Sequence, residues 1–194
     1  QLELHDLVAR RRQIVDMVKA EKNRLARCTP SLKPPIQAHI DWMQGQQAEL
    51  ECHITETIHK NSAWQDQIQL LCSTPGIGPV TAHTLVALVP EMGTLNRSEI
   101  AALVGLAPFN CDSGYCKGHR AIWGGRAHVR ACLYMATICA IKHNPSINAF
   151  HHRLKAKGKK PKVAIIACMR KLLVTLNTMT RNQTDWKNKL VKIA

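Results

Sequence analysis

Carboxylates are what the second part of this sequence lacks. Beyond residue 72 there are four, Glu91, Glu99, Asp112 and Asp185, against eighteen Lys and Arg. Residues 1–72 hold nine of each sign, so the whole formal charge of +14 falls on residues 73–194. So few acids exclude a two-metal phosphoryl-transfer centre built from this part alone. Such a centre needs several carboxylates converging on cations about 4 Å apart. A one-sided positive field instead favours a polyanion, most simply nucleic acid. A generically basic surface is the plainer reading of the same charge.

Other absences narrow the class. No C-x-x-C occurs among the eight Cys, and the nearest pair is Cys111 and Cys116. With no charged-then-apolar leader at the amino end, reduced thiols are expected. Cys72, Cys132, Cys139 and Cys168 fall in apolar helical patterns and read as small core residues. The longest apolar run, residues 131–141, is too short to span a bilayer. A soluble, intracellular protein without a membrane partner is therefore expected. The chain opens on Gln1 rather than Met, so a piece of something longer is expected. Its 194 residues suit one domain with an appendage, or two small units.

What is present is helical periodicity, and the fold class expected is all-α. Leu4, Leu7, Val8, Ile14, Val15 and Val18 share a stripe, straddled by Arg10, Arg11 and Arg12. The segment "CTPSLKPP" then breaks the chain. From Ile36 the apolar positions step by four and three through Ile40 and Met43, then Leu50, Ile54 and Ile58. Gln47 occupies the skipped seam position and could serve register. That spacing predicts an antiparallel coiled-coil hairpin over residues 1–61. So narrow a pair buries little alone, so packing on a partner or a second copy is expected. Its balanced charge favours protein contact, while Arg10–Arg12 leave RNA open.

A helical domain is expected over residues 62–194. One helix with Trp64, Ile68 and Leu71 runs into Pro75-Gly76-Ile77-Gly78, and another begins near Pro79. This is the pattern of a helix-hairpin-helix. Gly76 and Gly78 let the backbone turn tightly and leave amide N–H groups to meet a phosphate. A purely structural turn is the alternative, since Thr81, Ala82 and Leu85 pack either way. Asn96 with Glu99 predicts a capping box opening a short helix that ends at "GLAP". Residues 126–142 predict a buried apolar helix, and a further helix after Asn144-Pro145 carries Phe150, His151, His152 and Arg153. A basic loop with Lys159 and Lys160 precedes a last long helix starting at Pro161.

Between these elements lies "FNCDSGYCKGHRAIWGGR", residues 109–126, a candidate β-hairpin around Ser113-Gly114. Cys111, Cys116 and His119 could face one point, but their spacing matches no standard zinc knuckle, and no metal is expected here. Ser113, followed by Gly114, can present its hydroxyl. Lys117, His119, Arg120, Arg126 and Arg130 stand near it in sequence and could clamp a phosphodiester and stabilise its transition state. A nucleophile and a simple turn residue both remain open on chemistry alone.

The strings "TPGIGPVTAHTLVALV", "LNRSEIAALVGLAP", "DSGYCKGHRAIWGGRAHVRACLYMA" and "HNPSINAFHHRLKAKGKKPKVAIIACMRKLL" occur in this order. Together they resemble the carboxy-terminal domain of the DEDD-type insertion-sequence transposases over roughly residues 70–186. That family includes bridge-RNA-guided recombinases and pilin-gene-inverting enzymes, and its coiled coil resembles the hairpin here. The resemblance implies that Ser113 is a nucleophile forming a phosphoserine link to DNA. It also implies that magnesium sits on four carboxylates of an amino-terminal RuvC-like domain, absent from this sequence. No cofactor is then expected in this fragment, which alone would bind DNA with little or no recombination. DNA is the expected partner and guide RNA a further candidate. A homodimer or higher homo-oligomer through the coiled coil, in a bacterial cytoplasm, is also expected. Gly76, Gly78, Lys117, Arg120, Arg126, Arg130, Arg153, Lys159 and Lys160 are the candidate nucleic-acid contacts. The resemblance assigns no role to Asp112 or His119. Two rivals stand beside this reading. One is a non-enzymatic helix-hairpin-helix DNA-binding module. The other is a glycosylase, which needs an Asp shortly after the second hairpin helix, where Glu91 and Glu99 stand.

Overall fold

A computed structural model describes residues 1–109 and 121–186. These residues are all-α in class: eight α-helices and one pair of two-residue strands. The chain divides into two compact units, Gln1–Gln65 and Asp66–Ala194.

In the first unit, α1 (Leu2–Leu25) and α2 (Lys33–His59) flank a 3-10 turn, Pro30–Leu32. Pro30, Pro34 and Pro35 lie where two helix starts meet, and a missing N–H costs nothing in a first turn. Arg11 reaches Glu51, and Glu21 faces His39, so partner numbers run in opposite directions and the helices are antiparallel. Ile14, Val18, Ile40 and Met43 form the buried seam, with Leu25, Ile36 and Leu50 packed against it. Full burial of one such side chain contributes about 1.5–3 kcal/mol. The seam has a polar layer. Arg11 donates from Nε to Glu51 Oε1 at 2.8 Å, and Gln47 Nε2 donates to the same oxygen at 3.0 Å. Arg11 thus occupies the gap between Val8 and Ile14 on α1, as Gln47 does between Met43 and Leu50 on α2. Sliding either helix by one turn would strand these groups among apolar neighbours, so the layer penalises the wrong register.

The helix α3 (Ser62–Cys72) carries the chain into the second unit, where α4 (Pro79–Leu88), α5 (Arg97–Val104), α6 (Ala127–His143), α7 (Pro145–Ala156) and α8 (Pro161–Asn182) follow. Proline opens α4, α7 and α8. Asn96 caps α5 with the full reciprocal box: its side chain accepts from Ser98 and Glu99 N–H, and Glu99 accepts from Asn96 N–H. Asn144 caps α7 from one side only, its side chain accepting from Ser146 and Ile147 N–H. The helix α8 is the organising element and packs on α5, α6 and α7. Its Ala164, Cys168, Leu172, Leu173 and Leu176 are fully buried. By length and composition it could cross a membrane, but half of its apolar stretch is buried inside the unit, as in a core helix.

Two expectations about burial need correction. The helix α6 is not buried all round: Ala131, Met135 and Cys139 line an exposed face, with Met135 65% exposed. Only the Val129, Leu133, Ala136 and Ala140 side meets the core. Small and apolar residues on both faces of α6 hid this asymmetry from the sequence pattern. For the same reason Cys139 is exposed rather than a core residue, and Cys72 and Cys132 are half-buried. Cys168 is buried as expected, and burial pushes its thiol up to about 11.

Candidate nucleic-acid interface and loop stem

The turn between α3 and α4 is tightly built. Ile77 N–H donates to Thr74 O at 3.0 Å, closing it. Gly76 has φ +101°, and a Cβ there would stand 2.6 Å from the backbone of Ala140 on α6. Glycine at this point therefore serves close approach to α6 as well as the turn itself. Asn144 Nδ2 donates to Pro75 O at 3.4 Å, tying the turn to the start of α7. Gly78 is different. It is exposed, extended and uncrowded, and it opens α4 without any side-chain cap. Of the two glycines, Gly78 borders a helix start whose first-turn N–H groups, at Val80 and Thr81, have no intrahelical acceptor.

The stem of the loop is held from several sides. The strands β1 (Pro108–Phe109) and β2 (Ala121–Ile122) pair antiparallel, with Pro108 opposite Ile122 and Phe109 opposite Ala121. Gly105 ends α5 in the left-handed region at φ +76°. A Cβ on Gly105 would meet Gly124 O at 2.3 Å, and one on Gly125 would meet Gly105 N at 2.4 Å. No side chain fits between these backbones. Arg130 Nη1 fills the remaining gap, donating to Val104 O at 3.1 Å and Gly124 O at 2.5 Å. Arg126 N–H donates to Leu103 O at 3.0 Å, and its guanidinium makes two 2.6 Å bonds to the carboxylate of Glu91. Hydrogen bonding from Arg126 holds Glu91 below the usual carboxylate range, against the opposing effect of partial burial.

A further clamp secures the chain that leads to α5. Asn177 on α8, 2% exposed, accepts from Gly93 N–H and donates to Leu95 O, both at 2.8 Å. Arg181 donates to the Gly93 and Leu95 carbonyls beside it.

The predicted site residues separate into groups. Ser113, Lys117 and Arg120 lie outside the described residues, as do Cys111, Asp112, Cys116 and His119. Arg126 and Arg130 are engaged in the stem, through Glu91 and through backbone carbonyls. Arg153 sits exposed at the end of α7, its guanidinium carbon 5.1 Å from the centre of the Phe150 ring. Lys159 and Lys160 are exposed just before α8. No acidic residue occurs between Asp112 and Asp185, a stretch holding fourteen Lys and Arg. Sequence spacing singled out none of Gly105, Gly124, Gly125 and Asn177, and it gave Glu91 no part in the stem. The adjacent pair Gly124-Gly125 was the visible signal, because two such residues beside a hairpin strand suggest a close backbone approach.

The described residues do not fit a magnesium centre. No group of three His, Cys, Asp or Glu could hold a metal among them. Glu91 is committed to Arg126, and Glu99 to its capping box.

The geometry first defines a class: a basic helical unit whose described residues hold the chain firmly on both sides of residues 110–120. Residues 68–152, which include that stretch, match the family described as Transposase IS116/IS110/IS902. Residues 68–152 are thus similar to a transposase domain of this family. The chain is 30% identical to the pilin gene-inverting protein of Moraxella bovis over 146 residues, covering 73% of this chain and 45% of the relative. It is also 23% identical over 159 residues to the uncharacterized 43.6 kDa protein of insertion element IS110 from Streptomyces coelicolor, covering 81% and 38%. The uncharacterized 42 kDa protein of insertion element IS900 from Mycobacterium paratuberculosis matches at 30% over 118 residues, 59% of this chain and 29% of its own. The chain therefore spans less than half the length of these curated relatives.

Proposed function

We propose that this chain is the DNA-gripping and nucleophile-bearing part of a DNA transposase or recombinase. Its serine, Ser113, attacks a backbone phosphorus. The P–Oγ bond forms, one P–O bond of the DNA strand breaks, and the departing oxygen leaves as a free hydroxyl. The Ser113 hydroxyl proton passes to a base, and reversal onto a second strand end completes exchange. The observation that carries this reading is the stem. Residues matched to the transposase family hold the chain on both sides of residues 110–120 through Gly105 against Gly124-Gly125, and through Arg126 with Glu91. Such rigid support is what a positioned nucleophile requires.

Lys117 and Arg120 in this reading hold the scissile phosphate, while Arg126 and Arg130 fix the stem. Gly78, with the open start of α4, and the basic run of Arg153, Lys159 and Lys160 grip flanking DNA. Magnesium, where the reaction uses it, would come from carboxylates outside this chain, because the described residues do not fit it. The relatives' greater length agrees with such a division. Guide RNA is a compatible second partner, and the α1–α2 hairpin, as a coiled coil, is the surface for self-association. The rival, a helix-hairpin-helix module that only binds DNA, predicts recombination independent of Ser113. The test is strand exchange by the full-length transposase carrying Ser113→Ala. Loss of exchange with DNA binding retained supports the role, and exchange at the wild-type rate removes it.

A further inference from the structure

Phe150 on α7 is approached by two cations at once. Arg153 lies 5.1 Å from its ring centre and Lys171, on α8, 4.9 Å away. Two positive charges beside one ring repel each other, and the ring quadrupole offsets only part of that. Lys171 is also half-buried, where an unpaired ammonium is costly. A buried cation ordinarily has a carboxylate partner, yet neither α7, α8 nor their connection contains one. The other titratable groups beside it do not supply an anion. Cys168, three residues before Lys171, stays a neutral thiol because burial pushes it to about 11. His151 and His152 can only add positive charge. Burial and the charge of Lys155 hold His151 below the usual histidine range. Burial and the charge of Arg153 hold Lys171 below the usual lysine range, against a smaller opposing effect of Cys168.

The geometry points to a phosphate-binding site at the α7–α8 junction, in which Arg153 and Lys171, steadied against Phe150, clamp one phosphodiester. Arg153 supplies a planar fork of donors and Lys171 a point charge. The exposed residues Lys155, Lys157, Lys159, Lys160 and Lys162 continue the positive track from this clamp around the start of α8. Its assignment to nucleic-acid phosphates rests on the DNA reading above; its affinity for phosphate as such does not.

The test uses the 194-residue chain, with fluorescence anisotropy of a labelled 20-base-pair duplex across a KCl series. Arg153→Gln and Lys171→Gln should each weaken binding roughly threefold to tenfold and lower the salt slope by about 0.9. Lys171→Arg should keep both near wild type, and far-UV circular dichroism checks that each variant is folded. A parallel series on duplex RNA identifies the source. Equal losses on both duplexes mark a clamp that reads phosphate alone, and a loss confined to RNA assigns it to RNA. Unchanged affinity and slope for both variants on both duplexes would overturn the clamp. Should the wild-type chain bind neither duplex, the DNA reading fails and inorganic pyrophosphate decides the clamp. Its phosphorus NMR line broadens with wild type and stays sharp with the double Gln variant if the clamp exists. Equal behaviour of the two proteins would overturn it.

Discussion

Glu91 and Arg126 meet through two parallel 2.6 Å hydrogen bonds, joining the turn after α4 to the residue that opens α6. The pair is about one-third exposed on each side, so solvent screens much of its energy. Its value lies in geometry: a planar fork on a carboxylate fixes angle as well as distance. Replacing Arg126 with Met should therefore cost only about 1 kcal/mol by urea unfolding. The same change should loosen the loop stem, measured as faster amide exchange at Ala121 and Ile122. A stability loss with no change in that exchange would confine the pair to a local role.

The same pair sets a pH dependence. Arg126 depresses the Glu91 carboxyl in the folded chain below its ordinary value of 4.5. A depressed folded value gives stability that is present above the unfolded value and lost as pH falls through the folded one. The stability difference between wild type and Glu91→Gln should be constant from pH 6 to 8 and shrink below pH 4.5. A difference that grew on acidification would contradict the assignment.

Gly76 and Gly78 are separable. Gly76→Ala places a Cβ against the Ala140 backbone at positive φ and should destabilise by about 2–4 kcal/mol. Gly78→Ala meets nothing within 4 Å and should stay within about 0.5 kcal/mol of wild type. Chemical denaturation of the two variants decides. Equal costs would mean that the turn, rather than contact with α6, sets both.

Asn177 holds Gly93 and Leu95 with both ends of one amide from a buried position. Asn177→Leu leaves the Gly93 N–H without its acceptor, while Leu95 O keeps its bond from Arg181, and should cost about 1–3 kcal/mol. Asn177→Asp keeps the acceptor alone and should fall between. Thermal melts of both variants check the order.

Thiol reactivity should follow exposure. Cys139 on the open face of α6 and Cys52 on α2 should alkylate readily with iodoacetamide at pH 8. Cys168 should react only after unfolding, being buried with its thiol pushed to about 11. Peptide mapping by mass spectrometry reads all three together.

The helix starts were legible because each is local chemistry. Pro79, Pro145 and Pro161 stand in first turns, and Asn96 with Glu99 forms its box within four residues. The α1–α2 seam was legible from its spacing, including the gap at Gln47. Arg11 was harder to place, because an arginine in a seam reads as surface until Glu51 is known to face it. The stem was less legible for the same reason. Glu91 with Arg126, Arg130 with Val104 O, and Asn177 with Gly93 join residues 26 to 84 positions apart. Nothing in the spacing of one partner announces the other. The face of α6 was misjudged because small and apolar residues occupy both of its sides, leaving no contrast to mark the solvent side.

The central claim is that Ser113 becomes covalently joined to DNA, and mapping that bond tests it most directly. A full-length protein containing this chain would be incubated with labelled substrate DNA, denatured, digested, and searched for a nucleotide-bearing peptide. The account predicts one adduct, on the peptide containing Ser113, that disappears in Ser113→Ala. An adduct on another residue, or one that persists in Ser113→Ala, would contradict it.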